Sequence, residues 1–118
     1  MGCYSFVGGG KSNTSSGCYS SIFSGNSNRT VGQYSNVTAG LSNCVNGGWG
    51  FIGGGATNTI IADCSNILGG LTNTISVDGT LSSIVGGTIN KVCGSYSLIG
   101  AGSSNTICSN TTLYSNIV

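Results

Sequence analysis

Histidine and proline are absent from this 118-residue sequence, and charge is nearly so: three Lys or Arg and two Asp or Glu. Without histidine the chain lacks the commonest general base and a principal zinc ligand. With Asp63 and Asp78 as its only acids, it is short of the groups that acid–base and nucleophilic catalysis use. No enzyme activity, cofactor or metal is therefore expected. A net charge of +1 leaves no basic footprint for nucleic acid. Neither a twenty-residue apolar run nor a signal-peptide pattern at the start is visible, so no membrane span is expected. Disordered tails are polar and charged, which this chain is not.

What is present in quantity is glycine, 22 residues, with Asn, Ser and evenly placed Val and Ile. Asn13, Asn28, Asn43, Asn58 and Asn73 fall at a spacing of fifteen, and Asn90 and Asn105 continue it after a two-residue slip. With Asn as position zero, Val or Ile usually follows at plus two, a small residue at plus four, Tyr or Trp at plus six and Ser at plus seven. A second Val or Ile stands at plus nine, and Gly at plus twelve in all seven repeats. The unit is two similar halves, NxIxGxx and SxIxGGxx. Alternation of apolar residues within each half signals a strand, small residues between the halves supply turns, and the pattern excludes helix.

A unit this short cannot bury its own apolar face, so repetition at fixed period implies coils stacked into a parallel β-solenoid with two short strands per coil. The expected core has one row of Val7, Ile22, Val37, Ile52, Ile67, Ile84, Ile99 and Ile117, facing Val45, Ile60, Ile75, Val92 and Ile107. Ser15 and Thr30 hold the second row in the first coils, so the N-terminal end is expected to pack less well. The seven Asn form an expected core ladder, amide stacked on amide about 4.8 Å apart and bonded to each other and to turn backbone. The glycines read as tight corners. The "GGG" of residues 8–10 and 53–55 is followed by no helix that would make it a phosphate loop.

Outward positions carry Phe6, Phe51 and Leu98 at plus eight, Phe23, Leu68 and Val85 at plus ten, and Leu41 and Leu71 at plus thirteen. Soluble surfaces are about a quarter or more charged. Recurring outward aliphatics on so uncharged a chain point to cover by other subunits, with Phe6, Phe51, Leu41 and Leu71 as candidate interface residues.

The stretches "YSFVGGGKSNTSSG", "YSNVTAGLSNCVNGG", "CSNILGGLTNTISVDG" and "YSLIGAGSSNTICSN" resemble the SxIxGGxxNxIxGxx repeats of the head domains of trimeric autotransporter adhesins and of related viral and phage fibre proteins. The resemblance spans essentially residues 4–118. It implies a left-handed parallel β-roll, three chains around one axis, and a place on a virion surface or outside the cell, attached to a host-surface glycan or protein.

Other columns invite chemistry. Cys3 and Cys18 share one, and Cys93 and Cys108 another, which leaves free stacked thiols, vertical disulfides and cross-subunit bridges open; zinc is disfavoured without a CxxC pair or His. Asp63 and Asp78, both at plus five, could imitate a glycosidase pair or a calcium site, but the column reads as an exposed turn. Tyr4, Tyr19, Tyr34, Trp49, Tyr96 and Tyr114 form an aromatic column. Its packing reading is coil on coil, and its functional reading makes Tyr19, Tyr34, Trp49 and Tyr96 glycan contacts. Pairs such as Thr57 with Thr59 and Thr72 with Thr74 resemble the TxT arrays of insect ice-binding solenoids, interrupted by Arg29, Cys44 and Lys91.

Residues 1–118 thus read as one repeat domain of about seven coils, entering mid-coil at Cys3 and leaving mid-coil at Val118. A rod on the order of 35 Å with open strand edges is expected to be a segment of a longer fibre or a self-assembling subunit. Its expected function is a rigid oligomeric fibre or head module, the alternative a monomeric ice- or carbohydrate-binding solenoid. The slips place expected bulges at Gly79 and Thr80 and within Asn110 to Thr112.

Overall fold

The computed structural model describes residues 2–108 and 114–118, and they form a parallel β-solenoid without helix. Eight short strands pair side by side in one sheet: Phe6–Val7, Ser21–Ile22, Asn36–Val37, Phe51–Ile52, Asn66–Ile67, Ser83–Ile84, Ser97–Ile99 and Ser115–Ile117. Seven more make the opposite sheet: Thr14–Ser15, Arg29–Thr30, Cys44–Val45, Thr59–Ile60, Thr74–Ile75, Lys91–Val92 and Thr106–Ile107. Every pairing is parallel and in register one coil apart, as in Ile52↔Ile67 and Val45↔Ile60. A third ladder, beyond the two strands expected per coil, links the plus-thirteen residues by single parallel bridges from Lys11 through Leu41, Ala56 and Leu71 to Ser103.

The expected inward rows form the core. Ile22, Val37, Ile52, Ile67, Ile84 and Ile99 face Val45, Ile60, Ile75 and Val92, all without solvent exposure. At the N-terminal end the expectation of poorer packing holds for Val7, which is only partly buried and stands outside the core cluster, but not for the polar residues of the second row. Ser15 and Thr30 are as buried as the isoleucines, because their hydroxyls are joined: Ser15 bonds Ser20 at 2.6 Å, and Thr30 donates to both, at 3.0 and 3.2 Å.

The asparagine ladder differs in chemistry from stacked amides bonding one another. In the central coils each Asn Nδ2 donates to two main-chain carbonyls, four residues behind and one coil ahead, as Asn58 does to Gly54 and Gly70, both at 3.0 Å. Its Oδ1 accepts the main-chain N–H of the next Asn, Asn73 N to Asn58 Oδ1 at 3.0 Å. Three of the amide's capacities are thus filled by backbone, which a buried amide needs.

Corners are made by reversing the peptide. Strand N–H groups donate to the following coil, as Phe51 does to Ser65 O at 3.1 Å. At plus six and plus fourteen the direction inverts: Trp49 N donates back to Gln33 O at 2.8 Å and Thr57 N to Leu41 O at 2.9 Å. The inversion requires left-handed backbone, and these residues have φ near +55°, among them Tyr34 (56°), Trp49 (51°), Thr57 (57°) and Ile89 (57°). The plus-twelve residues go further, to φ 107° at Gly40. There a Cβ would strike the carbonyl oxygen of Gly55 and the Nδ2 of Asn43, so only glycine fits.

The first slip is absorbed differently from the expectation. Gly79 and Thr80 are not extra. Ser65 Oγ donates to Gly79 O at 2.9 Å and Tyr96 N donates to Thr80 O at 3.1 Å, which are plus-four and plus-five roles, and Gly79 is buried. The residues that bulge are Val77 and Asp78, both exposed. The Asn ladder crosses the slip unbroken, Asn90 N to Asn73 Oδ1 at 3.0 Å. The second expected bulge, Asn110 to Thr112, lies outside the described residues.

Candidate functional site

The corner after the second sheet carries the aromatic column. Its left-handed backbone turns each side chain along the rod, and the rings stack coil on coil. Ring centroids are 5.1 Å apart for Tyr4–Tyr19, 5.0 Å for Tyr19–Tyr34 and 5.3 Å for Tyr34–Trp49, with planes within 16° of parallel. Cys64 and Leu81 then occupy the plus-six place, and the column resumes with Tyr96 and Tyr114 at 5.2 Å. Stacking on a sugar needs a free ring face. Tyr19 and Tyr34 each have a ring on both faces, so their exposed parts are edges. The packing reading of this column is therefore the one realised for Tyr19 and Tyr34, while Trp49 has one stacked neighbour and Tyr96 one neighbour tilted by 45°.

The two acids do not pair. The shifted bulge puts Thr80, not Asp78, in register above Asp63, since Leu81 N donates to Asp63 O at 3.3 Å and Tyr96 N to Thr80 O. Asp63 instead turns down the rod, its Oδ1 accepting Gly48 N–H at 2.7 Å. The expectation of plus-five column-mates thus fails because spacing alone cannot say which of residues 77–80 are extra. Among the described residues no group of three or more His, Cys, Asp or Glu lies close enough to hold a metal ion.

The threonine pairs are not flat strand rows. Thr57 and Thr72 have φ of 57° and 58°, whereas Thr59 and Thr74 open strands of the seven-stranded sheet. One member of each pair thus belongs to a corner and the other to a sheet. Arg29, Cys44 and Lys91 interrupt the strand column.

Cysteines divide by column. Cys93 and Cys108, one coil apart with Cα atoms 4.5 Å from each other, form a disulfide, the vertical arrangement left open by the sequence. Cys3, Cys18, Cys44 and Cys64 are free thiols. The hydrogen bond with Cys18 is the main cause holding the Cys3 thiol above its ordinary pKa, reinforced by their mutual repulsion when charged.

The candidate interface residues separate onto two sides of the rod. Leu41 and Leu71 lie on the single-bridge ladder with Ala56 between them, about half exposed. Phe6 and Phe51 lie on the outer face of the eight-stranded sheet. Phe23, at plus ten, meets Phe6 edge to face at a centroid distance of 5.7 Å.

These features define a β-solenoid repeat protein whose inward polar groups serve coil stacking and whose outer surface mixes apolar residues with few charges. Neither a protein-family model nor a curated protein matches the chain. No helix among the described residues is long and apolar enough to cross a membrane.

Proposed function

We propose that this chain is a structural building element: a rigid solenoid module that assembles with copies of itself into the shaft or head of a fibre. The observation that carries the reading is the exposure of large apolar side chains along the rod, Phe6, Phe23, Leu41, Leu68, Leu71 and Val85 each near half exposed, on a chain with five charges. Surface of that kind is normally covered by a partner. Rigidity follows from the stacking, since each coil bonds the next through main chain, Asn amides and stacked rings. The resemblance to adhesin heads and viral and phage fibres supports a setting on a virion or cell surface, with attachment to a host glycan or protein as its role and three chains as the expected assembly.

Native mass, measured by light scattering coupled to size-exclusion chromatography, tests the reading. A discrete oligomer or a filament supports it. A stable monomer at micromolar concentration removes its physical support and returns the ice- or carbohydrate-binding alternative.

A further inference from the structure

The outer face of the eight-stranded sheet bears two columns of side chains, plus eight and plus ten, and none of the five charged residues stands in either. Lys11, Arg29, Asp63, Asp78 and Lys91 all belong to other columns. Six coils place one large apolar residue on this face: Phe6, Phe23, Phe51, Leu68, Val85 and Leu98. Their placement is correlated. Where the large residue is at plus eight, plus ten is glycine, namely Gly8, Gly53 and Gly100; where it is at plus ten, plus eight is Ser21, Asn66 or Ser83. Every such coil thus has one bump beside one hollow. At Gly8 the Phe6 ring leans over the glycine, where a Cβ would touch it at 3.1 Å, whereas at Gly53 no Phe51 atom comes as near.

We propose that copies of this chain pack against one another through this face. This rests on the reading of a self-assembling module and specifies its contact surface. Bumps and hollows recurring at the coil spacing, interrupted once at Asn36 and Thr38, are matched along the face by something with the same spacing, and a second copy has it. An uncharged face offers nothing for a partner of opposite charge to complement.

The test compares two double variants by native mass, with circular dichroism confirming that the β signal persists. Phe51→Glu with Leu68→Glu places charge in adjacent coils of the proposed face, and Val31→Glu with Ile61→Glu places the same charge on exposed positions that follow strands of the seven-stranded sheet. The expected result is an oligomer that becomes monomeric in the first variant and keeps its native mass in the second. An oligomer that survives the glutamates overturns this interface while leaving the self-assembling module standing; a monomeric native protein overturns both. Should the glutamate variant not fold, a photo-crosslinking benzoylphenylalanine at Ser83 decides in the otherwise native chain. Covalent dimers formed there support the pairing, and their absence, with dimers formed instead from the same probe at Leu71, sinks it.

Discussion

At the scale of single residues, the solenoid depends on backbone that most side chains avoid. Left-handed conformation costs a non-glycine residue about 1–2 kcal/mol, yet Tyr, Trp, Thr, Leu and Ile all adopt it at the corners. They are held there because the reversed N–H finds its acceptor only in that conformation, as Ile89 N does with Leu71 O at 2.9 Å. Ile89 combines a β-branched side chain, φ of 57° and a mostly exposed surface, so little packing opposes its replacement. Ile89→Gly is expected to stabilise the fold by about 0.5–1 kcal/mol, the relief of strain exceeding the added entropy of glycine. Thermal unfolding reads this as a Tm raised by a few degrees. A lowered Tm would mean that the Ile89 side chain contributes packing greater than its strain.

At the scale of the element, a coil is defined by its hydrogen-bond register rather than by its length. The coil from Asn73 to Asn90 is two residues longer than its neighbours, yet the Asn and Ser ladders stay in step across it, Asn90 N on Asn73 Oδ1 at 3.0 Å and Ser82 N on Ser65 Oγ at 3.3 Å. Deleting Val77 and Asp78 restores the ordinary corner with Gly79 at plus four, and stability is expected to remain within about 0.5 kcal/mol. Deleting Gly79 and Thr80 gives the same length but moves Val77 to plus four. A side chain there meets the Ile75 methyl and the carbonyls of Ser76 and Val92, so a loss of about 1–3 kcal/mol is expected from overpacking. Urea unfolding of the two deletions separates these outcomes; equal midpoints would refute the assignment of the bulge.

For the whole molecule, stability is a chain of neighbour contacts with no second core to fall back on. The rod is 13 Å across its thin direction, so its interior is a single layer of side chains from each sheet. Ile67, fully buried in mid-rod, touches this layer from one side and its column-mates Ile52 and Ile84 from above and below. Ile67→Asp would bury a charge where no counter-charge stands, and loss of the folded β signal in circular dichroism is expected. Ser12→Asp alters an exposed corner residue at φ 55°, a conformation that aspartate tolerates, and a change below about 0.5 kcal/mol is expected. Equal effects of the two would mean that inside and outside have been interchanged.

Strand period, parallel stacking and the inward columns could all be read from the sequence alone, because stacking turns one-dimensional spacing directly into neighbours: Ile52 lies beside Ile67 since they are one repeat apart. The same logic made the asparagine ladder legible, though not its acceptors, which are carbonyls whose orientation depends on the fold of the corner. Spacing carries no such information at the corners themselves. Two extra residues between Asn73 and Ser82 are countable, but only the bonds to the coils on either side decide that Val77 and Asp78 leave the ladder while Gly79 and Thr80 stay, and with that choice the apparent Asp63–Asp78 pair disappears. Likewise Tyr19 and Tyr34 are visibly a column, but that their faces cover one another follows from the left-handed turn beneath them. Leu41 and Phe51 are both plainly outward. That they belong to different sides of the rod was decided by the tertiary structure, because the corner separating their columns bends through backbone conformations, at Gly40 and at Ser42, that residue identity leaves open.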